Sequence, residues 1–253
     1  MTKHLSLPLV GSLIALTTSL PVLAQNVAPR QEVRVFSPAK AKGEGLGYLL
    51  YLPTGYQTEP QRHWPLVLFL HGSGERGTNV SVVAVHGPPK LVNQGRDFPF
   101  ILVSPQCPPK REWSDKALLG LLDEIERQCR VDTNRVYLTG LSMGGYGTWN
   151  LGLKHPERFA ALVPICGGGN PKILEQAGAA QAKAIRSLPI RAFHGVKDPT
   201  VPVAESERMV DALKKFGCPE VSLMKYPELG HDCWTVTYDN PELFDWLLLQ
   251  HRQ

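Results

Sequence analysis

A chain of 253 residues with 43% hydrophobic content can bury a large core, and it carries no repeats, low-complexity tracts or long linkers that would divide it into separate domains. Its formal charge of +4 is spread along the chain without a basic run. That pattern argues against nucleic-acid partners and against polybasic attachment to a membrane.

The first residues read as a targeting segment. Lys3 and His4 precede an apolar run from Leu5 to Leu20, and Val22-Leu23-Ala24 supplies small residues for cleavage before Gln25. The run is shorter than the roughly 20 residues of a comfortable membrane span, so no stable anchor is expected after cleavage. The expected organisation is a signal peptide over 1–24 and one catalytic domain over 25–253, exported to a periplasm or secreted. Five cysteines (Cys107, Cys129, Cys166, Cys218, Cys233) leave at least one unpaired within the chain, and their spacing gives no zinc pattern. Cys129 falls on the apolar stripe Leu118, Leu122, Ile125 and reads as a small core residue.

Glu32–Phe36 and Gly47–Leu52 read as antiparallel strands that run into the Pro53-Thr54-Gly55 turn. A rhythm of short apolar runs follows: Leu66–Leu70, Phe100–Ser104, Val136–Thr139, Ala161–Ile165, Ile190–Phe193 and Val221–Tyr226. Between several of them lie helical patterns at Lys116–Arg130, Met143–Lys154 and Val203–Phe216, with Pro241–Gln250 at the end. Apolar strands alternating with helices predict a mostly parallel sheet covered on both faces. Thr78–Gln94, with Pro88-Pro89 and no clear amphipathic stripe, reads mainly as loop.

The stretch PLVLFLHGSGERG (Pro65–Gly77) matches the dinucleotide pattern G-x-G-x-x-G at Gly72, Gly74 and Gly77. That reading requires a helix opening at the third glycine and a second strand ending in an acid. No good helix follows Gly77, and Asp97 precedes the next strand instead of ending it. The loop reads better as one that offers backbone amides to a reacting acyl group.

Gly140-Leu-Ser-Met-Gly144 fits G-x-S-x-G between a strand and a helix, the setting of a nucleophile elbow. A serine hydroxyl needs a base, so a histidine must come near. His155 and His251 read as exposed, and His194, after the strand Ile190–Phe193, reads as buried and structural. His231, in the loop after the last strand, is the best base. Asp198, beyond the end of the strand Ile190–Phe193, is the expected acid, with its neighbour-in-sequence rival Asp232 beside His231. The order Ser142, Asp198, His231 is the one expected for this architecture. The oxyanion donors are then the amides of Met143 and Ser73, with Gly74 as the alternative to Ser73. His71 and the Ser73 side chain read as structural, and Glu75 with Arg76 as a local ion pair or a border of the site.

With HGSGERG, HGPPK (His86–Lys90), SPQCP (Ser104–Pro108), GLSMGGYGTW, PICGGG, FHGVKDPTVP and GHDCW, essentially the whole mature chain resembles one group of the α/β-hydrolases. This is the esterase–depolymerase and prolyl-oligopeptidase-like group, whose members are labelled predicted peptidases or phospholipase/carboxylesterases. The resemblance implies an α/β-hydrolase fold, with a mostly parallel central sheet flanked by helices and no large cap domain. It also implies hydrolysis of an acyl bond through an acyl-enzyme, with no metal and no cofactor. The expected substrate is a small-molecule or polymer ester. The rival readings are a serine peptidase and a polymer-binding relative without turnover, in which Trp113 and Trp234 would stack on the polymer.

Overall fold

Alternation within the strands decides how the molecule is layered. The structure, a computed structural model, describes residues 1, 2, 30–38 and 45–252. The apolar run Leu5–Leu20 and the cleavage site before Gln25 lie outside these residues. Strands β1 (Glu32–Phe36), β2 (Leu46–Tyr51), β3 (Trp64–Leu70), β4 (Ile101–Pro105), β5 (Val131–Leu141), β6 (Ala161–Ile165), β7 (Ile190–Gly195) and β8 (Val221–Tyr226) form one sheet. Its order is β1-β2-β4-β3-β5-β6-β7-β8. The pairs β1–β2 and β2–β4 are antiparallel, and every pair from β4 through β3 to β8 is parallel.

Successive side chains of a strand point to opposite faces. In β3, Leu66, Leu68 and Leu70 therefore join one core, and Val67 and Phe69 join the other. The first core is closed by α2 (Asp115–Gln128), α3 (Met143–Lys154) and α6 (Ala204–Phe216), through residues such as Leu121, Trp149 and Met209. The second is closed by α1 (Gly87–Asn93), α7 (Trp234–Asp239) and α8 (Pro241–Leu248), through Val92, Tyr238 and Phe244. Short helices α4 (Lys172–Glu175) and α5 (Ala179–Arg186) fill the β6–β7 connection. The architecture is an α/β-hydrolase fold, with no large cap among the described residues.

Three expectations about the elements are corrected. Thr78–Gln94 is not mainly loop: a 3-10 segment at Val80–Val85 leads into α1. Pro88 and Pro89 follow Gly87 in the first turn of α1, where a missing N–H costs nothing because it has no partner within the helix. Cys129 is not on the helical stripe: α2 ends at Gln128, and Cys129 is its extended C-terminal cap, half-buried against the core. Strand β5 also starts earlier than its apolar run, since Val131 already pairs with Trp64.

Candidate functional site

The parallel strands deliver their C-terminal ends to one edge of the sheet, where open α/β sheets place their sites. β5 ends at Leu141, and Ser142 turns the chain into α3 with φ 53° and ψ −116°. For a non-glycine residue this left-handed φ costs of the order of 1–3 kcal/mol, so neighbours must hold it. The Ser142 amide donates to the Ile165 carbonyl at 3.0 Å and the Tyr146 amide to the Ser142 carbonyl at 3.0 Å. Glycine is obligatory around this turn. A Cβ on Gly144 would lie 1.9 Å from the Leu70 carbonyl oxygen, and one on Gly140 would lie 2.4 Å from that of Gly144. The elbow sequence thus lets α3 sit directly on β3 and β5.

The structure brings Ser142, His231 and Asp198 together. The Ser142 hydroxyl lies 2.9 Å from His231 Nε2, and His231 Nδ1 donates to Asp198 Oδ2 at 2.7 Å. An acceptor carboxylate at Nδ1 fixes the proton there and leaves Nε2 free to accept the serine proton. Asp198 itself is buried. Burial pulls its pKa upward, but the His231 hydrogen bond and the amides of Val201 and Thr200 outweigh this and hold it below its ordinary value. Those amides donate to Oδ1 at 2.9 and 2.8 Å. His194 is fully buried, with Nε2 at 2.9 Å from the Val201 carbonyl and 3.2 Å from Asp198 Oδ2, and Nδ1 at 2.7 Å from Ser206 Oγ. Sequence reading placed His194 as buried but missed that it borders the acid; its position four residues before Asp198 was the available signal.

Asp232 points elsewhere. Its carboxylate accepts from the Thr235 amide at 3.1 Å and the Thr235 hydroxyl at 3.0 Å, bracing the first turn of α7. His251 is exposed, whereas His155 is half-buried at the end of α3 and faces Glu157 at 3.8 Å.

The β3 loop packs against the elbow. A Cβ on Gly72 would lie 3.6 Å from Ser142 Cβ, so the chain at Gly72-Ser73 passes beside the serine. Ser73 opens a 3-10 turn (Ser73–Glu75) and Met143 opens α3; first-turn amides have no partner within their helix. His71 anchors the loop from below: Nδ1 donates to the Gly72 carbonyl at 2.5 Å and Nε2 accepts from the Cys107 amide at 2.9 Å. Burial pushes its pKa down to about 4, which keeps the ring neutral, in line with a structural role. Glu75 and Arg76 do not pair. Arg76 faces Glu112 at 3.5 Å and donates to the Ser73 and Arg111 carbonyls, while Glu75 turns inward between His71 and His86. A groove of about 350 Å³ borders the elbow, lined by residues including Glu112, Trp113, Met143, Tyr146 and Asn150. Trp234 packs edge-on against His231, with ring centroids 5.2 Å apart.

Among the described residues no group of three or more His, Cys, Asp or Glu side chains could hold a metal ion, and all five cysteines are free thiols. Burial raises the Cys166 pKa, reinforced by the facing Cys233 thiol; burial also takes Cys107 and Cys218 to about 11.

Known proteins resemble this chain in sequence and in fold. A family model described as phospholipase/carboxylesterase matches residues 112–240, and a second model, for esterases, matches residues 31–172. The chain is 26% identical over 192 residues to a bifunctional acetylxylan esterase/xylanase of Neocallimastix patriciarum, across 71% of this chain and 26% of that protein. It therefore spans about a quarter of that relative's length. A solved thermostable esterase is 32% identical with a TM-score of 0.73, over 88% of this chain and 63% of that one. A ferulic acid esterase, 20% identical, shares the fold with a TM-score of 0.65, over 86% of this chain and 96% of that one.

Proposed function

This chain belongs to the phospholipase/carboxylesterase family of α/β-hydrolases, and from that premise we propose that it hydrolyses carboxylic esters through an acyl-enzyme formed on Ser142. The observation that carries the reading is the continuous hydrogen-bonded line Ser142–His231–Asp198 beside a strained elbow. In the first step Ser142 Oγ attacks the ester carbonyl carbon while His231 Nε2 takes the hydroxyl proton. The tetrahedral oxyanion accepts from the Ser73 and Met143 amides. Collapse breaks the bond to the alcohol oxygen, and His231 returns the proton to that oxygen. In the second step His231 takes a proton from water, which attacks the acyl carbon, and then gives it back to Ser142 Oγ as the acid leaves. Asp198 keeps His231 in the required tautomer and stabilises its charged form. Preorganised amide donors of this kind supply about 10²–10³ in turnover each.

The test is a panel of acetyl, butyryl and longer-chain esters with matched peptide amides, run on the wild type and on Ser142→Ala. Ester turnover that disappears in a folded Ser142→Ala supports the reading. A preference for amides over esters overturns it in favour of a peptidase, and a folded Ser142→Ala with near wild-type rate removes Ser142 as nucleophile.

We also propose export, from Lys3 and His4 ahead of the Leu5–Leu20 run and the Val22-Leu23-Ala24 site. The intact mass of the exported protein should correspond to a start at Gln25; a mature chain that retains Met1 contradicts export by cleavage.

A further inference from the structure

Glu75 is a buried carboxylate with no hydrogen bond to its side chain among the described residues. Its side chain is 90% removed from solvent, and Oε2 is fully buried with no partner. The nearest basic groups are His71 Nδ1 at 3.8 Å from Oε2 and His86 Nε2 at 3.9 Å from Oε1, both too far to donate. The His71 Nδ1 proton is already given to the Gly72 carbonyl. Oε2 is sealed against His71 and Gly72, so a donor arriving from elsewhere must reach Oε1, the oxygen that faces His86. Leaving a buried carboxylate without donors costs of the order of 1–3 kcal/mol or more.

The carboxylate is held in place and held at the site. The Glu75 carbonyl accepts from Gln106 Nε2 at 2.8 Å, which fixes its backbone. A Cβ added to Gly72 would meet Glu75 Oε2 at 3.3 Å and Ser142 Cβ at 3.6 Å, so carboxylate and nucleophile flank the same glycine. The other neighbour is oriented too. His86 Nδ1 accepts from Trp234 Nε1 at 3.4 Å, which leaves Nε2 as the N–H facing Glu75. Trp234 in turn packs against both His86 and His231. Glu75 and His86 therefore border the His231 side of the elbow. In the proposed reaction that is where the departing alcohol must lie, because its oxygen receives the proton from His231.

A group that fits between an N–H donor and a carboxylate 3.9 Å apart must accept from one and donate to the other. A hydroxyl does both; an ammonium has no lone pair for His86, and an ether has no proton for Glu75. We propose that Glu75 and His86 form a subsite for a free hydroxyl on the alcohol portion of the ester, next to the scissile oxygen. The favoured substrates are then monoesters of polyhydroxy alcohols. This inference rests on the reading of Ser142 as the nucleophile.

The test compares 2-hydroxyethyl acetate with 2-methoxyethyl acetate, with the cationic choline ester as a third substrate. A hydrogen bond to a charged acceptor gives roughly 10- to 100-fold discrimination against an analogue without the donor. The wild type should prefer the hydroxyethyl ester in kcat/KM by about that factor, and the ratio should fall toward one in Glu75→Ala and His86→Phe, whatever their absolute rates. A wild-type ratio near one, a ratio that survives Glu75→Ala, or a preference for the choline ester overturns the subsite while leaving the Ser142 reading intact. No hydrolysis of any of the three esters contradicts the Ser142 reading itself, and the subsite with it.

Discussion

Two buried carboxylates stand near Ser142, and they are treated in opposite ways. Asp198 has a full set of partners: two backbone amides on Oδ1, His231 on Oδ2, and His194 close behind. Glu75 has none within hydrogen-bonding distance among the described residues, although its loop is anchored through His71 and Gln106. A carboxylate whose lone pairs are filled by its own protein can only orient and stabilise what it touches. One left without donors in an otherwise ordered loop is what the proposed hydroxyl subsite would use. The contrast teaches that Asp198 is a finished part of the fold, whereas in the proposed reading the β3 loop is completed by substrate.

The largest effect that sharpens this comparison is on turnover. Asp198→Asn should fold normally and lose about 10⁴ in kcat, because the imidazole then favours the wrong tautomer. Asp232→Asn, which only frees Thr235, should be far milder on the same ester at the same pH. A crippled Asp232→Asn would show that the acid has been misplaced, although the serine–histidine pair would stand.

Acid stability probes the Asp198 side of the comparison. The Asp198 pKa is depressed in the folded chain, so between its folded value and the ordinary value near 3.9 the unfolded chain binds the extra proton. Its contribution is therefore present above about pH 4 and is lost as pH falls through the folded value. Urea midpoints of wild type and Asp198→Asn should differ at neutral pH and converge below about pH 4. A gap that widens on acidification contradicts the assigned hydrogen bonds.

The smallest effect has the opposite sign. Glu75→Gln replaces a carboxylate without donors by a neutral amide that costs less to bury, and should raise stability by about 1 kcal/mol. Equilibrium urea unfolding at pH 7 measures it. A loss of 2 kcal/mol or more would mean that Glu75 is structurally satisfied after all and that the two carboxylates are not different in kind.

Much of this arrangement was legible in the chain. Ala161–Ile165 and Val221–Tyr226 were readable to the residue as strands, because each is a compact run bounded by turn-forming residues. The order Ser142, Asp198, His231 followed from placing each on its strand end or loop. The start of β5 was hidden because Asp132, Thr133 and Asn134 carry no apolar signal, and Val131 is held there by pairing with Trp64. Helix α1 was hidden by prolines that break a helix interior yet suit a first turn. Arg76 reaches Glu112 rather than its neighbour, and Glu75 meets His86 across a 3-10 segment. Contacts between loops depend on how the layers close around them, and no local periodicity encodes that.

The central claim is that Ser142 carries the acyl group. It is tested most directly by mixing the protein with an activated acetate ester, quenching in acid within milliseconds, and mapping the modified peptide by mass. The account predicts a burst of released alcohol equal to the enzyme present, with the acetyl mass on the peptide containing Ser142 and none in Ser142→Ala. Acetyl on any other residue, or turnover with no burst and no adduct in quenched wild type, would contradict it.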